Sequence, residues 1–358
     1  MTMRCQIRVS SSSRHISHLL TGFGILEANG EVQTEIIKDK KYAAGQYQSA
    51  LISVQLESGK RLVFDCTDSS DISPETVEES DLYFKRSFDS RRSYSSKVRP
   101  LGFYFPVYSD HPYRLKRFIW SFLNDRSKFR RDSLIQLVRS FSVLGWLARD
   151  VQGARGCALE DYEHGPEATG EGARILFLSK VWDPFKSNLS IEKREERLSI
   201  NQMRSECIRK LRKEFGSSFI GGLEANKLAM ESFSDCVVEN TELTRKDRYL
   251  RLMQSSDICI STVGLQDSNP AKLAEYIAAS RAIVTEPLRH QVPGDFSPPH
   301  NCLFFRNADE CVHQVRELFN DTEKRKEMMR RNHAYYRNYL RPDVLVMNAL
   351  REGLKLSQ

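Results

Sequence analysis

A chain of 358 residues exceeds the roughly 100–200 residues of a typical domain, so two domains are expected. Its 40% hydrophobic and 28% charged content is that of an ordinary globular protein, and no apolar run reaches the roughly 18 residues that a membrane-crossing helix needs. The net charge is +7, yet Lys85–Arg149 alone holds fifteen basic and four acidic residues, so the rest of the chain is slightly acidic.

In chain order, "QIRVS" reads as a short strand. It is followed by a helix over "SSSRHISHLLTGFGILEANG", with serine N-cap candidates and Gly30 closing it. "VQTEIIK" is the next strand. "ALISVQL" and "RLVFDCT" are two more, joined by a tight turn at "ESGK". "SPETVEESD" offers Ser73 as N-cap and Pro74 at the first helical position. "DLYFKRSF" and "VRPLGFYFPVY" read as extended, and residues 113–149 carry apolar positions at helical spacing. Residues 150–172 lose periodicity and gain glycine and acid, which predicts a linker.

The second half opens on "ARILFLSKVWDP", a nearly continuous apolar run of the kind buried on both faces of a parallel sheet. A long helix over about 192–215 follows, then "SSFIGGL", then "TRKDRYLRLMQSSD" as a helix capped by Thr244. "ICIST" is a strand, "NPAKLAEYIAAS" a helix with Asn269 as N-cap and Pro270 at its first position, and "AIVTE" a further strand. "CLFFRN" and three closing helices complete the pattern. Alternation in both halves predicts two α/β units with parallel sheets.

The helix at 269–280 carries Lys272 and Glu275 three residues apart, on one face, just past the carboxyl end of a strand. Ligands of open α/β sheets bind outside such ends, and helix N-termini attract phosphate. A lysine there can pair with phosphate and a carboxylate can accept from ribose hydroxyls, while Leu273 and Ile277, with Ala274 or Ala278, take the buried face. A surface Lys–Glu pair on a packing helix is the alternative.

With this context, "SSDICIST…NPAKLAEYIAASRAIVTEP" resembles the donor half of GT-B glycosyltransferases, and in particular the family-four-like bacterial group called spore-maturation-like. The resemblance covers about residues 173–350; in the first half only "DLYFKRSF" and "RPLGFYFPVY" add a looser likeness. It implies a GT-B fold of two Rossmann-like, doubly wound domains facing a cleft. An acceptor-side domain would span 1–165, a nucleotide-sugar domain 170–340, and a final helix, 341–358, would cross back to the first domain. It further implies that Glu275 holds the donor ribose and that Asp267, an Asp where Glu is usual, lies near the donor sugar. Lys180, with Lys186 as second choice, would neutralise the diphosphate, and Thr262 and Asn269 would line the donor loop. The glycine usual before the last of these strands is replaced by Ser280-Arg281.

For acceptor activation, Asp68 at a strand end and His15 in the first strand–helix loop are rivals for the general base. Asp65 stands near Asp68, and Asp71 is expected to cap the backbone locally. No Asp-x-Asp pair, C-x-x-C or Cys/His cluster is present, so neither a catalytic metal nor a disulfide framework is expected and the eight cysteines read as buried thiols of a reducing compartment. The opening "MTMRCQIRVSSSSRH" lacks the apolar core of a secretory leader. The reading is a cytoplasmic, metal-independent glycosyltransferase needing no cofactor beyond its nucleotide-sugar substrate. Its acceptor would be a glycan, lipid-linked or protein hydroxyl in surface glycan synthesis. The basic stretch 85–149, with Phe118, Trp120 and Phe122, reads three ways: an ordinary packing helix, an anionic-glycan binder, or a segment touching anionic lipid at the inner face of the membrane. No nucleic-acid motif is present. The alternatives are a sugar-nucleotide epimerase or hydrolase on the same fold, or a non-catalytic binding subunit.

Overall fold

The computed structural model describes residues 2–9, 14–37, 50–107, 158–167 and 172–356. The chain divides into two compact units. The first comprises Met1–Asp161, His290–Gly294 and Arg337–Gln358; the second comprises Tyr162–Arg289 and Asp295–Tyr336. Both are α/β.

The first unit is built on a six-stranded sheet of β1 (Met3–Val9), β2 (Val32–Ile37), β3 (Leu51–Leu56), β4 (Arg61–Asp65), β5 (Leu82–Lys85) and β6 (Val98–Pro100), in the order β2-β1-β3-β4-β5-β6. Within this otherwise parallel sheet one strand is reversed: β3 runs antiparallel to both β1 and β4. The cause is local: a tight turn at "ESGK" can join only antiparallel neighbours. Because β1, β4 and β5 still point one way, the loops after them open at one sheet edge.

Helix α1 (Ser17–Ala28) covers this sheet. It begins after Ile16 without a side-chain cap, and the serine candidates at 11–13 lie outside the described residues. Gly30 at φ 74° turns the chain out of it, as expected of a closing glycine. The short α2 (Pro74–Glu78) has the predicted cap, with Ser73 accepting from the backbone N–H of Thr76. Beneath the sheet edge lies a buried ion pair. Lys85 Nζ donates to Asp65 Oδ2 at 2.8 Å, Tyr83 OH donates to the same oxygen at 2.6 Å, and Thr67 N–H and Oγ1 satisfy Oδ1 at 2.9 and 2.6 Å. Asp71 does not cap the backbone; its carboxylate takes Arg92 and the Ser69 hydroxyl.

The second unit has an all-parallel sheet of β7 (Ile175–Ser179), β8 (Phe219–Leu223), β9 (Ile258–Ser261), β10 (Ala282–Thr285) and β11 (Leu303–Phe304), in the order β11-β10-β9-β7-β8. A single parallel bridge, Leu223 to Val237, adds the rudiment of a sixth strand beyond β8. Helix α3 (Ile191–Phe215) links β7 to β8. Two short helices, α4 (Lys227–Ser232) and α5 (Lys246–Gln254), follow β8. Helix α6 (Ala271–Ala278) links β9 to β10. The chain closes with α7 (Ala308–Asn320), α8 (Thr322–Tyr335) and α9 (Pro342–Lys355). Helix α3 packs with α7, and α6 with α8, so the sheet is wound on both faces, as right-handed crossovers in opposite directions from β7 and β9 require. Thr244 is not the cap of α5. Arg245 occupies that position, and the Thr244 hydroxyl donates instead to the Thr241 carbonyl at 2.7 Å.

Residues 162–167, read as part of a linker, are bound to the second unit. Arg281 is fully buried, and its guanidinium donates to the carbonyls of Gly165, Glu167, Gln254 and Ser256. Ser280 has φ 57°, the left-handed backbone that favours glycine. Its side chain donates to the His164 carbonyl at 2.6 Å. The Ser280-Arg281 departure from glycine thus builds this tether.

Part of the basic stretch is internally neutralised. Lys85, Arg86, Arg91, Arg92 and Arg99 pair with Asp65, Asp68, Asp89, Asp71 and Glu352, four of which lie outside that stretch in sequence. The helices expected at 113–149, and the lipid contact assigned there, lie outside the described residues. Among the described residues, no helix is long and apolar enough to cross a membrane, and the seven described cysteines are free and buried.

Helix α9 packs on α1 where Gly22 leaves no space: a Cβ there would lie 2.2 Å from the Pro342 carbonyl oxygen. Overpacking of this kind costs about 1–3 kcal/mol. Gly22→Ala is therefore expected to lower the urea midpoint of unfolding, and an unchanged midpoint would show that α9 does not seat there.

Candidate functional site

The second sheet has its topological switch point between β7 and β9, from which the chain winds in opposite directions. Their ladder is short, pairing only Ile175 with Ile258 and Leu176 with Cys259. Beyond that the strands part toward their carboxyl ends, and the backbone carbonyls exposed by the parting need donors. Two basic side chains supply them from opposite faces. From α6, Lys272 Nζ donates to the carbonyl of Leu178. From α3, Arg204 donates Nη1–H to the carbonyl of Lys180 at 2.6 Å, Nε–H to Thr262 Oγ1 at 2.9 Å and Nη2–H to the carbonyl of Val263 at 3.1 Å.

Arg204 is 6% exposed, and burial pulls its guanidinium down to about 10. Glu286, at the end of β10, accepts from the Val263 N–H at 2.9 Å, and burial raises its carboxyl. Burial also pulls the Lys272 ammonium down to about 8, against the pull of the nearby Glu275 charge. The Lys180 ammonium sits 4.3 Å from the centroid of the Trp182 ring. Lys180 and Lys186 are both exposed in the loop after β7.

Helix α6 starts one residue later than expected. Pro270 holds the N-cap position with extended ψ of 138°, and Ala271 is the first helical residue, so Asn269 does not cap it. The predicted apolar face is buried at Leu273, Ala274, Ile277 and Ala278, but Tyr276 and Glu275 are buried too. Glu275 is therefore no surface partner of Lys272. Its Oε1 accepts from Lys246 Nζ on α5 at 2.6 Å, while Oε2 has no hydrogen-bond partner among the described residues. Lys246 Nζ lies 4.9 Å from the ring centroids of both Tyr162 and Tyr249. The Tyr249 phenol is raised well above its ordinary value by burial and then by the Glu275 charge. Asp267 is in the β9–α6 loop, where it and Gln266 adopt left-handed backbone (φ 52° and 60°), and Arg289 donates to its carboxylate at 2.5 Å.

In the first unit the two rival bases meet at one guanidinium. His15 follows β1, Asp68 follows β4 and Arg86 follows β5, all at the same sheet edge. Arg86 Nη1 donates to His15 Nδ1 at 3.0 Å and Nη2 donates to Asp68 Oδ1, while the guanidinium stacks 4.4 Å from the Tyr104 ring centroid. An arginine can only donate, so His15 Nδ1 is the lone-pair nitrogen and the neutral ring carries its proton on Nε2.

Arg204, Arg86 and Lys246 escaped the sequence reading. The last two stand in quoted motifs and had a strand-end or helix-start signal. Arg204 lies inside a helix rich in Lys, Arg and Glu and had none. Among the described residues no group of His, Cys, Asp and Glu is arranged to hold a metal ion.

Residues 204–343 match a family model described as "Glycosyl transferase-like", so the match runs from Arg204 across β8 to β11 and α6. A search of curated proteins found no sequence match. Among solved structures, the chain is similar to Anabaena HepE in complex with UDP and glucose, at 10% identity and TM-score 0.38, covering 97% of this chain and 98% of that one. It is similar to the C-terminal domain of LpcC, a glycosyl transferase group 1 family protein of Francisella tularensis, at 10% identity and TM-score 0.34, over 51% of this chain and 97% of that domain. A TarM variant from S. aureus, solved with UDP, matches at 12% identity and TM-score 0.32, over 55% of this chain and 38% of TarM.

Lys272 makes a stability signature. Its folded-state value near 8 lies below the ordinary 10.5, so between these values the unfolded chain holds more protons and stability rises with pH. Lys272→Met removes that contribution. The expected result is a shallower rise of unfolding free energy from about pH 8 to 10 in the variant than in the wild type, read from denaturant titrations; equal slopes would show that the ammonium is not desolvated.

Proposed function

We propose that this protein is a glycosyltransferase of the GT-B type, which transfers a sugar from a nucleotide-sugar donor held at the carboxyl edge of the second sheet to an acceptor hydroxyl. The observation that carries the reading is the arrangement at the parting of β7 and β9. Basic side chains from the β7 loop, α3 and α6 gather at the carboxyl ends of these strands, and the buried carboxylate of Glu275, held by Lys246, lies on α6 with them. The glycosyl transferase-like match across 204–343 supports the same reading.

The chemistry follows from these groups. The bond between the anomeric carbon and the diphosphate oxygen breaks, and its electron pair stays on the nucleoside diphosphate. Lys180, with Lys186 beside it in the loop, meets that charge, and the buried Arg204 and Lys272 add a fixed positive field below it. Preorganised charges of this kind stabilise a leaving group without reorganising, so the reaction needs no metal. Glu275 Oε2 accepts from a ribose hydroxyl. Thr262 accepts from Arg204 and keeps its own O–H to donate. Asp267 reads the donor sugar, and Asn269 lines the loop.

On the acceptor side, Asp68 receives the hydroxyl proton as the new carbon–oxygen bond forms. His15, held with its proton on Nε2, donates a hydrogen bond rather than acting as base. The acceptor is a glycan, lipid-linked or protein hydroxyl in surface glycan synthesis. The enzyme works in the cytoplasm, where the basic 85–149 stretch contacts anionic lipid.

A screen of uridine, guanosine, cytidine and thymidine diphosphate sugars in EDTA, with hydrolysis and epimerisation monitored, tests the class. Metal-free binding with slow hydrolysis in the absence of acceptor is expected. Rapid acceptor-independent turnover would point to an epimerase or hydrolase, and no binding by any donor to a non-catalytic role. Within the site, Lys246 already occupies one oxygen of Glu275, so the carboxylate contributes one charge-assisted bond to ribose, about 1.5–3 kcal/mol. Glu275→Ala is therefore expected to weaken nucleoside diphosphate binding about ten-fold or more and to erase the preference for the ribose form over its 2′,3′-dideoxy analogue in calorimetry. A variant that keeps the wild-type preference would remove Glu275 from the donor site.

A further inference from the structure

The start of the loop that carries Lys180 is gripped by one face of α3. Asn201 and Arg204 are three residues apart, share that face, and are 2% and 6% exposed. Asn201 Oδ1 accepts from the Trp182 N–H at 2.8 Å and its Nδ2 donates to the Trp182 carbonyl at 2.8 Å. Arg204 takes the Lys180 carbonyl at 2.6 Å. Trp182, held by both of its backbone groups, presents its ring 4.3 Å from the Lys180 ammonium. The other arms of Arg204 end on Thr262 and Val263 after β9, so one guanidinium sets the Lys180 loop against the opposite lip of the crevice.

From this geometry we infer that Asn201 and Arg204 are positioning residues for Lys180, holding its ammonium where the diphosphate of the donor binds. The inference rests on the donor-site reading above. A buried guanidinium is costly, because desolvation disfavours the charge, and all three of its direct partners here are neutral. Two carbonyls and a hydroxyl fit a planar fork of donors that a lysine cannot imitate. The same fork that satisfies these carbonyls also fixes the Lys180 backbone against Thr262 and Val263. An Asn and an Arg at i and i+3 inside a helix rich in charge are no signal by themselves, and the pair takes on meaning only once β7 and β9 are known to part above it.

The test uses the full-length protein and inorganic pyrophosphate, the moiety common to all nucleoside-diphosphate donors, titrated by calorimetry without divalent metal. Wild type is expected to bind, and Lys180→Ala to bind about ten-fold more weakly. Arg204→Lys and Asn201→Ala should each weaken binding by a comparable factor, and neither should weaken it further when combined with Lys180→Ala. Additive losses in the double variants, or single variants that bind like wild type, would overturn the positioning role and leave the donor site standing. Absent binding by wild type, or binding by Lys180→Ala equal to wild type, would instead overturn the donor-site assignment of Lys180 and the inference with it. Melting temperatures identify any variant that fails to fold; Asn201→Ser then stands in for it, since its hydroxyl replaces one of the two bonds to Trp182.

Discussion

The second unit is governed by a conflict at one place in its sheet. A parallel sheet wound in two directions must let its two central strands diverge if a ligand is to approach their ends, yet divergence strips carbonyls of the partners a ladder would give them. The chain resolves it with charge: Lys272 reaches Leu178 from one face, and Arg204 joins Lys180 to Thr262 and Val263 from the other. Both cations take carbonyls that a longer ladder would have paired, and both thereby lie at the carboxyl ends of the parted strands. Backbone satisfaction and a positive field are obtained from the same two side chains.

The same logic explains why the buried carboxylate of Glu275 is not neutralised by the nearest lysine in sequence. Lys272 is committed to Leu178, so Glu275 draws its counter-charge from Lys246 on a different helix, steadied by the faces of Tyr162 and Tyr249. That division leaves the carboxylate buried between Lys246 and the Tyr249 phenol, whose own proton its charge helps to retain. Tyr162 belongs to the segment that Arg281 binds down, so the tether before β7 and the Glu275 site share a wall.

The first unit spends its charges differently. Asp65 and Lys85 neutralise each other beneath the sheet edge, and the next residue, Arg86, turns to Asp68 and His15. Charge that is dense in the sequence is thus largely consumed by internal pairs over the described part of the basic stretch. A count of residues along a chain measures composition, and a surface field depends on what each charge faces.

Element order was legible in the sequence because it rests on local physics: continuous apolar runs for β7 and β9, Ser73-Pro74 at the start of α2, and Gly30 at the end of α1. The antiparallel β3 was legible too, in the tight turn at "ESGK", once the turn is taken to dictate strand direction. Lys180, Lys272 and Glu275 could be singled out because each sits at a strand end or helix start, where ligands bind in such sheets. Their partners could not. Lys246 lies 29 residues from Glu275, Arg204 lies 58 from Thr262, and Lys272 lies 94 from Leu178. Such pairings are set by the order of strands in the sheet and by the face on which each helix returns, which no local pattern encodes. By itself the sequence determined which residues stand at the edges of the sheets; the tertiary structure decided which charges meet there, because burial and proximity belong to the packed chain.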